Sequence, residues 1–378
     1  MNPLCMNAPA TDPSPTQTMR SMIQRIATGP ELSKDLTFEE TRLGMQLVLN
    51  QSIDRVQAGI FLIALRMKRE TDDENRGVLQ ALLDVTDCVT ADVDHILHIA
   101  DPYDGYTRAL PVSPFLPAVL AACGVPCVSQ GAESVGPKYG ATHRKVLRAA
   151  GAPVDLTPQS AAARVSNPDI GWSYVDQRMF CPKLHELVDL RSLIVKRPCI
   201  TTVEVLLASI RGRRTTHLMT GYVHKPYPRI YVLLARHAGF DSALIVRGVE
   251  GGVVASLQQP SKCVYYRGND AEQEQRLTPA ELGIASSSRA VPLPDNLPSA
   301  IEQPDSISSP VDADLIAQAA AEVGIDALRG KTGPASDSLI YSAAIYLKHA
   351  HPSSSLMDSA ETVRGVLKSG AALARFVE

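Results

Sequence analysis

Three loops hold most of the side chains that could do chemistry. The first runs from Asp101 to Thr107 and contains two carboxylates, Asp101 and Asp104. Carboxylates of this kind hold Mg²⁺, often through bound water. Two aspartates on either side of a proline turn are also good turn formers. The sequence therefore leaves a metal-binding role and a structural role open for this loop.

The second loop runs from Gln130 to Tyr139 and combines glycines, among them Gly131, with Ser134 and Lys138. Glycines, a hydroxyl and a lysine before a helix form a candidate anion-binding cradle. A plain turn into the next helix explains the same residues. That helix carries a basic face, which is either part of the cradle or simply solvated; the face consists of His143, Arg144, Lys145 and Arg148.

The third loop, Arg247 to Gly252, is rich in glycine and has Glu250 as its only carboxylate. A single acid does not make a two-carboxylate metal site. We therefore predict no metal site in the third loop and assign no metal-ligating residue, while both roles of the first loop stay open. No Ser/His/Asp or Cys/His nucleophile set follows from spacing either.

The most basic part of the chain lies between residues 211 and 229. Tyr222 and Tyr227 within it, and Tyr231 just after it, could stack on nucleic-acid bases. Its cations could lie opposite phosphates, or could be ordinary loop and cap residues. The candidate nucleic-acid-binding residues are Arg211, Arg213, Arg214, Lys225 and Arg229.

The elements that position these loops follow from the apolar pattern. Helical periodicity fills the first ninety residues or so, and afterwards short apolar strands alternate with helices. Such alternation predicts parallel strands joined by crossover helices, with ligands bound beyond the carboxyl ends of the strands. Strands are predicted at 95–100, 125–129, 216–222, 242–246 and 263–266, and helices include 114–123, 138–150, 182–195 and 227–237.

The predicted fold is thus α/β, with a small all-helical N-terminal domain and a large domain built on a mainly parallel central sheet flanked by helices. Residues 1–18 are expected to form a disordered tail. The helical domain is expected at 19–92, completed by helices around 182–210. The α/β domain is expected at 93–378.

Composition limits the classes of function. A net charge of −3 and a pI near 6.3 require any nucleic-acid binding to come from a local basic patch. Seven cysteines without a C-x-x-C pair are typical of reduced thiols. We find no secretory signal and no membrane-spanning apolar run, so a cytoplasmic protein without membrane contact is expected.

Four stretches resemble the anthranilate phosphoribosyltransferase superfamily. Ala58 to Thr71, AGIFLIALRMKRET, is similar to the family pattern AFLxALRxKGET. Ser134 to Gly151 resembles SVSSxxGSADVLEALG, Phe180 to Arg191 resembles APxxHPAxxxxxxxR, and Ser242 to Gly251 resembles ALVVHGxxGLDE. The order is right, and the matches span about residues 20 to 270. The resemblance implies the same two-domain fold and a homodimer formed through the helical part.

Members of that family transfer phosphoribose from phosphoribosyl pyrophosphate to anthranilate with Mg²⁺, and this chain departs from their phosphate-binding motifs. The family's GTGGD falls on Ala100–Asp104, where only Asp104 matches. Of the family's NxST motif this chain retains only a hydroxyl, that of Ser113, and of the KHGNR motif it retains only the glycine, Gly131. Losing one such donor costs on the order of 10²–10³ in rate. We therefore expect little activity of the standard kind.

Two further positions bear on substrate and metal. Arg191 matches the family arginine that contacts anthranilate, and the carboxylate pair DE falls on apolar Val253–Val254 or on the adjacent glycines. Phrases such as FLIALRMKRET are closer to a branch of the superfamily that binds nucleic acid without sequence preference. The resemblance thus favours a homodimeric protein that binds nucleic acid or another phosphorylated ligand. The alternative is a transferase that uses phosphoribosyl pyrophosphate and Mg²⁺, with ligand contacts from Asp104, Ser113, Gly131, Ser134, Lys138 and Arg191.

Overall fold

The helical domain begins with four helices that have strong N-terminal caps. The computed structural model describes residues 13–29, 31–298 and 311–378. Thr37, Thr71 and Ser14 each accept a hydrogen bond from the backbone N–H three residues on, inside a capping box. The helices are α1 (Pro15–Ile26), α2 (Phe38–Leu49), α3 (Arg55–Lys68) and α4 (Asp72–Leu83). Helix α1 starts inside the expected tail, whose residues 1–12 lie outside the described residues.

The described part of the chain contains nine strands in two sheets. The strands are β1 (Val89–Thr90), β2 (His95–Ala100), β3 (Cys127–Gly131), β4 (Trp172–Asp176), β5 (Ile210–Arg211), β6 (Thr215–Tyr222), β7 (Ser242–Arg247), β8 (Ser261–Arg267) and β9 (Gln273–Leu277). The large sheet has the order β4-β3-β2-β6-β7-β8-β9, and β1 pairs with β5 separately. Strands β4, β3, β2, β6 and β7 are parallel, while β8 and β9 are antiparallel. The prediction of a mainly parallel sheet is confirmed.

The register brings three strand ends to one edge. Ala100 at the end of β2 lies opposite Thr220 of β6, and Tyr222 of β6 lies opposite Arg247 of β7. Because these strands are parallel, the loops that follow them emerge side by side. Crossover helices connect neighbouring parallel strands, as parallel pairing requires. They include α5 (Leu116–Ala122), α6 (His143–Ala149) and α7 (Pro158–Ser166).

A second stretch of chain returns to the helical domain. It contains α8 (Gln177–Phe180), α9 (Pro182–His185), α10 (Val188–Ile194) and α11 (Ile200–Val203). Arg66 of α3 donates hydrogen bonds to the Pro198 carbonyl at 3.2 Å and to Thr202 at 2.8 Å. Gln51 donates to Glu186 at 2.7 Å. These hydrogen bonds hold this second stretch against the segment that contains α1–α4.

The remaining helices cover the sheet. They are α12 (Tyr227–His237), α13 (Ala313–Leu328), α14 (Pro334–Ala350), α15 (Leu356–Lys368) and α16 (Ala371–Val377). Two apolar cores result, one between the sheet and the helical domain and the other between the opposite sheet face and helices α5, α6 and α13–α16. No helix among the described residues is long and apolar enough to cross a membrane.

Several predicted bounds differ from the structure. The helix expected at 138–150 begins only at His143, because Thr142 accepts from the Lys145 N–H and caps it there. Strand β4 was not predicted, because all five of its residues are buried and show no alternation. The stretch expected as one helix at 182–195 is α9 and α10, separated by two residues. Residues 285–310 are rich in serine and proline, a composition that predicts a surface loop, and residues 299–310 of this stretch lie outside the described residues.

Candidate functional site

A cavity of about 1230 Å³ lies between the helical domain and the carboxyl ends of β2, β6 and β7. The loops that follow these strands line one side, and Arg66, Arg197 and Val205 line the other. The segment 288–293 covers a further part of the wall. Position at strand carboxyl ends, between two domains, is typical of ligand sites in α/β proteins.

Below this cavity, Asp101 connects the first loop to the third through hydrogen bonds. Its carboxylate is 2% exposed and accepts hydrogen bonds from Tyr106 at 2.7 Å and from the Val253 N–H at 2.8 Å. His143 Nε2 lies 3.0 Å from the same carboxylate, which also accepts from the Ser113 hydroxyl. Burial alone would raise the pKa of Asp101, but His143 and these hydrogen bonds hold it below its usual value. Asp101 therefore has a structural role as a buried carboxylate.

Gly252 is required for this close approach of the two loops. A Cβ atom at Gly252 would overlap the hydroxyl of Tyr106, and one at Gly248 would overlap the Gly252 carbonyl. The glycines of the third loop thus let its backbone pass against the first loop. Burial, followed by the nearby Asp101 charge, raises the pKa of Tyr106 well above its usual range. Tyr106 therefore stays a neutral hydrogen-bond donor at ordinary pH.

Asp104 faces the cavity and is bound by protein cations. Arg197 donates to its Oδ2 atom through Nε at 3.0 Å and through Nη2 at 2.6 Å. The Lys138 ammonium lies 3.6 Å from Asp104 Oδ1, and it donates to the Gly105 carbonyl at 2.8 Å. A carboxylate held this way by arginine and lysine is already neutralised.

Glu250 lies on the other side of Lys138. Lys138 Nζ is 3.4 Å from Glu250 Oε2. The same carboxylate accepts a hydrogen bond of 2.9 Å from the Arg108 N–H, and weaker ones from Thr107. Lys138 thus lies between two carboxylates from two different loops.

The residues present do not fit the Mg²⁺ site of the family. Asp104 and Glu250 both bind protein donors, and Val253 and Val254, at the positions of the family's carboxylate pair, are buried and apolar. Within residues 13–29, 31–298 and 311–378, no three His, Cys, Asp or Glu side chains are grouped so that they could hold a metal ion. An ammonium group, that of Lys138, lies where two acids converge.

The cavity wall is strongly cationic. Its lining contains six Lys or Arg residues against two acids, Asp104 and Glu250. Three of the arginines have no salt bridge to an acid among the described residues. They are Arg108, Arg247 and Arg289. A fourth, Arg66, is fixed by Glu70 at 3.3 Å and by the Tyr227 hydroxyl at 2.9 Å. Such a wall favours an anionic ligand.

Of the six expected ligand residues, the structure brings two to the cavity, Asp104 and Lys138. Ser113 is fully buried against Asp101, and Gly131 ends β3 beside the Tyr174 hydroxyl. Ser134 is half-buried and does not line the cavity wall.

Arg191 also lies away from the cavity, contrary to the expected anthranilate contact. Its guanidinium is 1% exposed and binds Glu204 through two hydrogen bonds of 2.7 Å. Gln177 donates to the same Glu204 at 3.2 Å. A bidentate buried pair of this kind neutralises both charges and holds the guanidinium away from the cavity, while its Nε has no hydrogen-bond partner among the described residues.

The basic segment 211–229 divides in the structure. Tyr222, Tyr227 and Tyr231 line the cavity, whereas its arginines lie outside the lining. Three of the arginines bind neighbouring groups: Arg211 donates to the carbonyls of Ala238 and Gly239, Arg213 pairs with Asp92 and Asp94, and Arg229 pairs with Asp72. The fourth arginine, Arg214, and the lysine of the segment, Lys225, are exposed.

The basic face of α6 is likewise compensated. Glu133 accepts from Arg144 and Arg148 at 2.7 Å each, and Lys145 lies 2.7 Å from Asp314. Burial raises the pKa of Glu133, but Arg148 and its neighbours outweigh burial and lower it. This face is therefore a network of ion pairs.

Sequence reasoning missed Arg66, Arg197 and Arg289. Arg66 lies in the stretch that resembles ALRxKGET, and that resemblance indicates the fold but gives no ligand role for this arginine. Arg197 reaches Asp104 from 93 residues away. No spacing rule relates residues that only the folded domains bring together.

Known proteins are similar to this chain in the sequence of the helical domain and in the whole fold. Residues 20–86 match the family model described as glycosyl transferase family, helical bundle domain. An anthranilate phosphoribosyltransferase of Paracidovorax citrulli is 24% identical over 334 residues, covering 88% of each chain. An uncharacterized protein of Aquifex aeolicus is 27% identical over 251 residues, which is 66% of this chain and 74% of that one.

Solved structures give the same fold. Anthranilate phosphoribosyltransferase from Thermus thermophilus superposes with a TM-score of 0.67 at 17% identity, covering 95% of this chain and 97% of its own. The enzyme from Saccharomyces cerevisiae, in complex with PRPP and Mg, has a TM-score of 0.71 at 15% identity and coverages of 95% and 96%.

Proposed function

The chain is a member of the anthranilate phosphoribosyltransferase superfamily, and from this premise we propose that it binds a small phosphorylated ligand in the interdomain cavity without magnesium-dependent transfer. The observation that carries the proposal is the lining of six cations and two acids, both of which are neutralised by those cations or by backbone donors. Charge-assisted hydrogen bonds from arginine are well suited to phosphate oxygens.

Calorimetric titration of pyrophosphate and of phosphoribosyl pyrophosphate, each with and without Mg²⁺, tests the proposal. We expect binding that does not require Mg²⁺. Replacing Arg108 and Arg289 together by serine should weaken it roughly tenfold or more, because each charged hydrogen bond contributes about 1.5–3 kcal/mol. Absence of heat with either ligand at millimolar concentration would contradict the proposal.

A matched control lies outside the cavity. Arg213→Ser with Arg214→Ser removes the same two charges from the basic segment. For a small ligand in the cavity, this double variant should bind like the unmodified chain. The same two pairs of variants also test nucleic-acid binding, the second candidate function.

Nucleic-acid binding has narrower support. Arg214 and Lys225 are exposed, and Tyr227 lies between that surface and the cavity. Arg211, Arg213 and Arg229 are already bound to protein groups. Fluorescence titration with a single-stranded oligonucleotide at low and raised salt measures it, since phosphate contacts weaken steeply with salt. Weakening by the Arg213/Arg214 pair alone would favour a polymer.

Phosphoribosyl transfer to anthranilate or a related aromatic acceptor is the alternative function. It is supported by Asp104 and Lys138 in the cavity and by the relatives named as anthranilate phosphoribosyltransferases. Loss of anthranilate fluorescence in the presence of phosphoribosyl pyrophosphate and Mg²⁺ measures it directly. Turnover would contradict the proposed non-catalytic role.

We also propose that two copies of the chain pair through the helical domain. Helix α3 packs beside α10, and both leave large apolar side chains exposed, such as Met67 and Leu193, each 71% exposed. Val56 at the start of α3 adds to this apolar surface. Exposed apolar patches of this kind are typical of protein interfaces. Sedimentation equilibrium should give twice the monomer mass, and Met67→Glu with Leu193→Glu should return it to the monomer value.

A further inference from the structure

Glu250 has a strained backbone and an inward-facing carboxylate. Its φ of +51° lies in the left-handed region, which residues with side chains seldom adopt. Residues in such regions persist where the surrounding structure holds them, often at ligand sites. Here the contacts that stabilise this backbone conformation are made by the Glu250 side chain itself.

Four donors converge on that carboxylate. The Arg108 N–H donates to Oε1 at 2.9 Å, and the Thr107 N–H lies 3.3 Å from Oε1 and 3.2 Å from Oε2. The Thr107 hydroxyl donates to Oε2 at 3.3 Å, and Lys138 Nζ lies 3.4 Å from the same atom. The residues that supply these donors, like Glu250 itself, line the interdomain cavity.

These donors are the kind that hold a phosphate. Successive backbone amides form an anion-binding concavity, and a hydroxyl and an ammonium group complete it. Carboxylate and phosphate oxygens accept the same bonds. The chain therefore carries a built anion site whose present occupant is its own side chain.

We propose that Thr107, Arg108 and Lys138 form a binding site for one phosphate group, which Glu250 fills until a phosphorylated ligand displaces it. The inference rests on the proposed function and names the part of the cavity where the phosphate binds. No covalent bond changes, because one anion replaces another on the same donors. An attached competitor acts at an effective concentration in the millimolar range, so it weakens the apparent affinity of the ligand.

Two variants of Glu250 test this proposal in the full chain, with pyrophosphate as the probe and calorimetry as the measurement. Glu250→Gln removes the charge. Glu250→Asp keeps the charge but is one methylene shorter, so its carboxylate cannot reach the donors from the same backbone. We expect both variants to bind pyrophosphate roughly tenfold or more tightly than the unmodified chain.

Asp104→Asn is the control, because it removes one negative charge from the cavity and leaves the bonds of Glu250 in place. If Glu250→Asp binds like the unmodified chain, or if Asp104→Asn gains as much as Glu250→Gln, the effect is one of net charge and the inference fails. Pyrophosphate binding by the unmodified chain would then still support the proposed function. No binding by any of the four proteins would overturn both.

Hydrogen exchange gives a second measurement that does not depend on affinity. The amides of Thr107 and Arg108 should lose protection in Glu250→Asp and regain it when pyrophosphate is added. Unchanged protection in that variant would show that Glu250 does not occupy the donors and would overturn the inference.

Discussion

Two carboxylates of the first loop have opposite roles, although the sequence presents them as similar. Asp101 is buried and satisfies donors from Tyr106, Val253 and His143. Asp104 faces the cavity and binds Arg197. The two roles differ because the side chains point in different directions. The Asp101 side chain points beneath the loops, and the Asp104 side chain points into the cavity between the domains.

Replacing Asp101 by alanine should destabilise the chain by about 3 kcal/mol or more, because buried donors would lose their acceptor. Urea unfolding at pH 7 measures the change in the free energy of unfolding. Asp92→Ala is the matched control, since Asp92 pairs with Arg213 but its side chain is 79% exposed. That variant should lose no more than about 1 kcal/mol; equal losses would show that Asp101 has no special role.

The cavity-lining residues that could be predicted are those on strand-terminal loops. Asp104 and Lys138 follow recognisable strands, so the sheet topology alone brings them to one edge. Arg66 and Arg197 come from the helical domain, and their position depends on how the two domains pack. Glu250 was noticed as a lone acid, but its hydrogen bonds to Thr107 and Arg108 join residues more than 140 positions apart.

At the scale of elements, the apolar pattern predicted those with clear signals. Strand β2 and helix α12 have the predicted bounds, since one is a short apolar run before a turn and the other has strong helical periodicity. Strands β4 and β9 were missed for opposite reasons. Strand β4 is buried throughout, whereas β9 is mostly exposed and polar, so neither shows the alternation of a half-buried strand.

Two glycines inside helices give a prediction about packing. In α13, a Cβ atom at Gly324 would overlap the buried ring of Phe115, whereas one at Gly365 in α15 would meet nothing within 4 Å. Gly324→Ala should therefore destabilise the chain by about 1–3 kcal/mol through overpacking. Gly365→Ala should stabilise it by up to about 1 kcal/mol through helix propensity.

Thermal or urea unfolding of the two glycine variants provides the measurement, and each serves as the control for the other. The same change in residue type should act with opposite signs. Stabilisation by both substitutions would mean that Phe115 moves aside without cost, and that α13 is not packed as described.

At the scale of the whole molecule, several imidazoles are buried within the fold. Burial lowers the pKa of His98 to about 4 and that of His349 to about 3. His98 Nε2 lies 2.5 Å from the Ile210 carbonyl, which fits a neutral ring donating from that nitrogen. The unfolded chain therefore binds more protons than the folded chain below about pH 6.5, the usual histidine value.

The sign of the pH dependence follows from this difference. Stability is fully present above about pH 6.5 and is lost as the pH falls toward the folded-state pKa. We expect His98 alone to lower the free energy of unfolding by about 2 kcal/mol between pH 7 and pH 5. His98→Gln, whose amide can donate to Ile210 but does not titrate, should reduce the loss by that amount. An unchanged loss in urea unfolding would show that His98 is not buried as a neutral ring.

The packing of α8–α11 against α1–α4 has a consequence for biosynthesis. Helix α8 begins about 100 residues after α4 ends, so α8–α11 leave the ribosome roughly 5–20 s after α4 at ordinary elongation rates. During that interval the surfaces that later receive Leu190 and Ile194 stay uncovered. The nascent chain therefore depends on delayed closure of its first domain, and a truncated product ending before residue 177 should be a chaperone client and not a soluble fragment.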